Sequence, residues 1–181
     1  LVSEGKIRYI GCSNYMAFEV VEAIHISRAY GLAEFITAQP EFSMFEREPE
    51  VELIHACEKY DVGILPYFPL ASGFLTGKYK RNSIPEDGRL SGSNTAWNEK
   101  WLTEENFEIV ENLEIWAEKK GISMVQLAFA WLLSKKSVSS VIAGATSSEQ
   151  LETNSKASGI KLSAQDLKEI NNILPEKRKV G

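Results

Sequence analysis

Residues 137–154, SVSSVIAGATSSEQLETN, combine the residue types of a strand, a tight turn and a helix start. Val138, Val141 and Ile142 make a mostly β-branched run that suits a buried strand. Gly144 breaks it. Thr146, Ser147 and Ser148 are helix N-cap types, and Gln150 follows Ser147 at capping-box spacing. Free backbone N–H groups and the positive end of a helix dipole would then face whatever lies above the strand, a setting for an anion such as phosphate. Thr146, Gln150 and Asn154 share an i, i+4, i+8 row and would point the same way. The same residues would equally serve an ordinary capped surface helix.

Five further residues could take part. Tyr67, backed by Pro69, offers a flat, rigid face to a planar ligand. Asn14 and Gln39 could hydrogen-bond a carboxamide. Lys78 and Arg89 could clamp a phosphate. Each also has a plain structural role open to it: packing for Tyr67, turn formation for Asn14 and Gln39, solvation for the two cations. What favours function is their common place at the carboxyl ends of expected strands.

Other chemistries are disfavoured. There is no G-x-G-x-x-G fingerprint. The run GFLTGKY at 73–79 imitates a phosphate loop, but has too few residues between its glycines and Tyr79 where Ser or Thr would hold magnesium. His25 and His55 sit in helical patterns away from the strand ends, and no histidine is placed to activate Cys12. No metal-ligand spacing is present, and no carboxylate pair is held at a strand end. A net charge of −5 argues against a nucleic-acid surface. No apolar run is long enough to span a membrane, and no signal peptide is visible. Cys12 and Cys57 are expected to be reduced and buried, in a cytoplasmic protein.

The elements that must position these residues follow from periodicity. Strands are expected over 6–12, 35–42 (interrupted at Pro40) and 62–67, with a fourth at 138–142. A helix using Phe18, Val21, Ile24 and Ala29 should end near Gly31, and a second should open at Pro49 and leave at Asp61. Residues 71–102 read as one long loop carrying Gly73, Gly77, Gly88 and Gly92, a length usual for lids. Thr103 caps a helix through Phe107, Val110, Leu113, Ile115 and Trp116 to Gly121. Ser123 with Gln126 opens the next, Ser163 the last, and the tail from Glu176 should fray. The repeating strand–helix units give an α/β protein with a parallel sheet: four units of a (β/α)8 barrel, or a small doubly wound sheet. In both, ligands bind at the carboxyl ends of the strands.

The motifs GKIRYIGCSN (5–14), AQPEFSMFERE (38–48), LPYFPLASGFLTGKY (65–79) and IAGATSSEQLETN (142–154) together resemble the aldo/keto reductase family, in its order and spacing and over nearly the whole chain. The resemblance is closest to the branches holding potassium-channel β subunits and bacterial oxidoreductases. It implies the C-terminal half of a (β/α)8 barrel as one domain over 1–181, with 71–102 as a loop covering the cofactor. It also implies hydride transfer from NADPH to an aldehyde or ketone. Ser13, Asn14 and Gln39 would hold the nicotinamide carboxamide and Tyr67 would stack on its ring. Phe68, Pro69, Leu70, Ser72 and Gly73 would line the pyrophosphate path. Lys78 would be the lysine of the loop that covers the cofactor and Arg89 would stand beside the 2′-phosphate, with the preference for NADPH resting on both; Gly144, Thr146, Gln150 and Asn154 would hold the adenosine end. Phe68 replaces the family's usual Ser, and Gly144 stands where some members place Lys.

The family's catalytic Asp, Tyr, Lys and His belong to the first four units, which precede these motifs. The resemblance therefore implies no catalytic residue and no metal here, and an isolated chain that does not reduce carbonyls. A small-molecule carbonyl substrate would be met only with an N-terminal half supplied. Two open sheet edges would favour a homo-oligomer or association with that missing half. A non-catalytic NADP(H)-binding regulatory subunit, like the channel β subunits, is the alternative. The start at Leu1 rather than Met points to a fragment or a processed product.

Overall fold

The computed structural model describes residues 1–86, 88–91 and 95–175, with backbone alone for 95–97. Helix starts follow the capping chemistry of the sequence. Thr103 Oγ1 accepts from Asn106 N at 3.2 Å and opens α4, Glu104–Lys120. Ser123 and Gln126 exchange bonds of 3.2 and 2.9 Å at the start of α5, Met124–Leu133. Ser163 and Asp166 do the same for α7, Ala164–Ile173. These bonds satisfy N–H groups that no helical carbonyl can reach. Gly31 ends α1, Ala17–Tyr30, in the left-handed conformation that glycine adopts without steric cost.

The sheet is parallel, in the order β1 (Ile10–Ser13), β2 (Phe35–Gln39), β3 (Gly63–Ile64). Ser13 pairs with Gln39 and Ala38 with Ile64. Helices α1 and α2 (Leu53–Tyr60) make the crossovers. Pro40 lacks a donor, so β2 stops at Gln39, but its carbonyl still accepts from Tyr67 N at 3.0 Å. That keeps the chain ends of β2 and β3 together beyond the regular ladder, where Glu41 and Tyr67 bridge.

Several sequence expectations are corrected. The first strand begins at Ile10, not Lys6, and β3 is far shorter than 62–67. Residues 138–142 form no regular strand. Val138 makes an isolated parallel bridge to Ile64, and Ile142 N donates to Pro66 O at 2.9 Å. With a neighbour on one side only, the stretch is an edge, and Ile142 is 42% exposed rather than buried. The second helix starts as a 3-10 turn, Glu48–Glu50, before α2. Phe18 and Ile115 point to solvent; Ile24, Val110 and Leu113 are buried as expected, and Val20 and Ile109 add to the buried stripes. The stretch 71–102 is not irregular throughout. It holds a 3-10 segment, Ala71–Thr76, with Phe74 and Leu75 fully buried, and α3, Thr95–Trp101. Gly92 of that loop and the tail at 176–181 lie outside the described residues.

The core runs from Val20 and Ile24 through Cys57 and Ile64 to Leu113 of α4 and Leu127, Trp131 and Leu132 of α5. A buried ionic cluster closes it. Glu50 meets Arg47 at 2.7 Å and Lys135 at 2.5 Å. Arg47 also donates to Pro175 O at 3.1 Å and to Asn171 Oδ1 at 3.3 Å, joining the turn before α2 to the end of α7.

Candidate functional site

Beyond β3 the chain turns through a run of left-handed residues: Phe68 (φ 53°), Ala71 (φ 47°), Ser72 (φ 60°) and Gly73 (φ 95°). For non-glycine residues this conformation costs roughly 1–2 kcal/mol each. It persists where the surroundings over-determine it. Here Ala71 N donates to Phe68 O, Gly73 N to Leu70 O, and Leu75 N to Leu70 O, at 2.9–3.1 Å. Ala71, Ser72, Phe74 and Leu75 are buried beneath. The result is a tight wall at the carboxyl end of β3.

That wall borders a cavity of about 780 Å³, within the usual range for a ligand pocket. Tyr67, Phe68, Pro69, Leu70, Ser72 and Gly73 form one side. Lys78 and Arg89 contribute its cations. Gly144, Thr146, Gln150 and Asn154 come from the loop before α6, Ser148–Lys156, and from α6 itself. No carboxylate lines it among the described residues. The cavity thus brings together separated stretches of the chain, with the residues that follow β3 forming its wall at that strand's carboxyl end.

At the start of α6, Ser147 Oγ accepts from Gln150 N at 3.2 Å. The return bond reaches one residue further back than in a regular capping box: Gln150 Oε1 accepts from Thr146 N at 2.8 Å and from Thr146 Oγ1 at 3.1 Å. Asn154 Nδ2 donates to Gly144 O at 3.4 Å. The row of side chains converges on the loop, and an anion reaching Thr146 N would have to displace the Gln150 side chain. None of α6 is buried, so this edge is held chiefly by those polar bonds.

Ser13, Asn14 and Gln39 do not line the cavity. They form a group beside it at the ends of β1 and β2. Ser13 Oγ donates to Gln39 O at 2.9 Å, and Asn14 N to the same oxygen at 3.2 Å. Asn14 is left-handed (φ 58°) and its Oδ1 accepts from Tyr67 Oη at 2.9 Å, a direct tie from this group to a lining residue. Thr76, Val125, Ile142, Ala143 and Ala145 also line the cavity and escaped the sequence reading. Val125, in the first turn of α5, is brought there by tertiary packing that no local pattern announces.

The groups set aside on sequence grounds are engaged elsewhere. His25 Nε2 lies 3.0 Å from Tyr60 Oη. Cys12 and Cys57 are free thiols in the core. Burial pushes Cys57 up to about 12, with nearby Cys12 adding to the effect, and burial likewise raises Cys12. Both are therefore held as thiols, the unreactive form. Among the described residues no group of His, Cys, Asp and Glu could hold a metal ion.

The profile of the aldo/keto reductase family matches residues 1–175. The chain belongs to the aldo/keto reductase family. A rice protein (Oryza sativa subsp. japonica) described as a probable voltage-gated potassium channel subunit beta is 36% identical over 159 residues. The match covers 87% of this chain and 48% of the rice protein, so the chain spans about half the length of that relative. Within this aldo/keto reductase chain, the motifs quoted above fall on β1, on the end of β2, on the left-handed wall and on the loop entering α6. No helix among the described residues is long and apolar enough to cross a membrane.

Proposed function

We propose that this chain is the NADP(H)-binding part of a carbonyl oxidoreductase, built as the second half of a (β/α)8 barrel. The observation that carries this reading is the cavity: it is lined by every residue that the family resemblance assigns to the cofactor except Ser13, Asn14 and Gln39. Its volume and its donor set suit a dinucleotide. Cations stand on one side, amide and hydroxyl groups at the α6 end, and an aromatic ring at the β3 end.

In this reading Tyr67 gives a face to the nicotinamide ring, fixed by its bond to Asn14. Asn14, Ser13 and Gln39 hold the carboxamide. The wall from Phe68 through Pro69, Leu70, Ser72 and Gly73 follows the pyrophosphate, and Lys78 and Arg89 take the 2′-phosphate. Gly144, Thr146, Gln150 and Asn154 bind the adenosine end. The bound cofactor supplies a hydride to an aldehyde or ketone. Reduction also needs a proton for the carbonyl oxygen, and the Tyr67 hydroxyl is already committed to Asn14. These residues on their own therefore bind and orient without completing turnover. A carbonyl substrate would be met jointly with an N-terminal half or a second subunit, in the cytoplasm.

The rice relative's description favours a second reading, in which cofactor occupancy regulates a partner and turnover is secondary. Carbonyl-dependent NADPH oxidation with an N-terminal half supplied separates the two: turnover restored there supports the oxidoreductase reading, and its absence the regulatory one. The isolated 181-residue chain should show NADPH binding and no useful turnover. Turnover comparable to an intact reductase would overturn the assignment of these residues as the cofactor part alone.

A further inference from the structure

Tyr79 touches one cavity cation and the backbone next to the other. Lys78 precedes it, and its Nζ lies 5.2 Å from the centroid of the Tyr79 ring. Arg89 precedes Leu90, whose N–H donates to Tyr79 Oη at 3.3 Å. Tyr79 itself is 1% exposed and does not line the cavity. Its ring sits beside Phe74, with centroids 6.2 Å apart.

The close approach depends on Gly88. A Cβ there would stand 2.7 Å from Tyr79 Oη and 2.9 Å from its Cε1, and the enclosed ring has no room to yield. Among the described residues the neighbouring hydrogen bonds fold the turn upon itself: Gly88 N to Pro85 O, Ser91 N to Gly88 O, and Ser91 Oγ to Glu86 O at 2.7 Å. They shape the turn but do not seat it on the body of the protein. Leu90, buried by its side chain, and the Tyr79 hydroxyl do that. On the other side, Lys80 reaches Glu114 of α4 and Arg81 reaches Glu104 and Glu111 of the same helix, but ion pairs near the surface hold little by themselves.

We propose that Tyr79 is a positioning residue for anion recognition. Its ring carries Lys78 and its hydroxyl fixes the backbone next to Arg89, so that both cations address one phosphate. This rests on the NADP(H) assignment and deepens it, because it states how the 2′-phosphate is distinguished. A guanidinium pairs with phosphate through a planar fork, and that geometry is lost if the backbone bearing it wanders.

Tyr79→Phe keeps the ring and removes the hydroxyl. Gly88→Ala pushes the turn away from the hydroxyl and so breaks the same bond by a separate route. In the purified protein, each should raise the Kd for NADPH about three- to tenfold, the loss of one hydrogen bond. The Kd for NADH should stay within about twofold, and Leu90 amide exchange should quicken in Tyr79→Phe. Unchanged affinities in Tyr79→Phe, or equal losses for both nucleotides, would overturn the positioning role and leave the cofactor assignment standing. If the unmodified protein bound neither nucleotide, the cofactor assignment would fall and this proposal with it.

Discussion

Lys78 and Arg89 are exposed side chains on a cavity whose other lining residues carry no charge among those described. A charge-assisted bond to phosphate is stronger than a neutral one, but exposure discounts it. Lys78→Ala and Arg89→Ala should each weaken NADPH binding about tenfold and leave NADH nearly unaffected, a contrast readable by titration. Binding should also weaken as salt is raised. Cys12 and Cys57 give a separate test. Burial holds Cys57 up at about 12 and raises Cys12 too, so a thiol reagent should label neither in the native protein and both after denaturation. A rapid native reaction would contradict the core placement of these side chains.

The elements are joined by polar clusters whose cost of removal is calculable. Burial acts to raise Glu50, but the bonds from Lys135 and Arg47 outweigh it and hold the carboxyl below its ordinary value. Removing one partner of such a buried set leaves uncompensated charge, so Glu50→Gln should cost about 3–5 kcal/mol in chemical denaturation. Asp166 is lowered to about 2 by the Lys120 ammonium and by Ser163, its capping partner at the head of α7. Both carboxyls are lowered in the folded state. Their contribution is therefore full above the unfolded value near pH 4 and is lost as pH falls through the folded one. Acid unfolding monitored by circular dichroism should begin below about pH 4, and Asp166→Asn should flatten that dependence. At this scale the sequence was legible wherever one local interaction decides the outcome. Thr103, Ser123, Ser147 and Ser163 all cap as their spacing implies, because a cap needs only four residues. Strand limits were not legible. The ends of β1 and β3 depend on which neighbour supplies the ladder, and 138–142 looked buried only on the assumption of a partner on both sides. Phe18 and Ile115 are apolar but fall off the buried stripes, and only packing against neighbouring elements decides which apolar positions a helix buries.

For the whole molecule, the cavity was legible in composition but not in geometry. The helical row alone puts Thr146, Gln150 and Asn154 on one surface, and Gly144 joins them through the family resemblance. It could not show that Ser13, Asn14 and Gln39 stand beside the cavity rather than in it, nor that Tyr79 ties its two cations together, since both depend on distant packing. The same view explains the exposed apolar groups on the β1 and α1 side. Tyr9, Phe18, Tyr30 and Leu32 are each at least 60% exposed, which favours association. Sedimentation of the 181-residue chain should show concentration-dependent association, and a compact monomer at all concentrations would contradict it. The most direct measurement is NADPH titration followed through the four tryptophans, with NADH as control. Saturable binding that favours NADPH is the result expected of a folded cofactor site. A chain with a normal circular dichroism spectrum that binds neither nucleotide would contradict it.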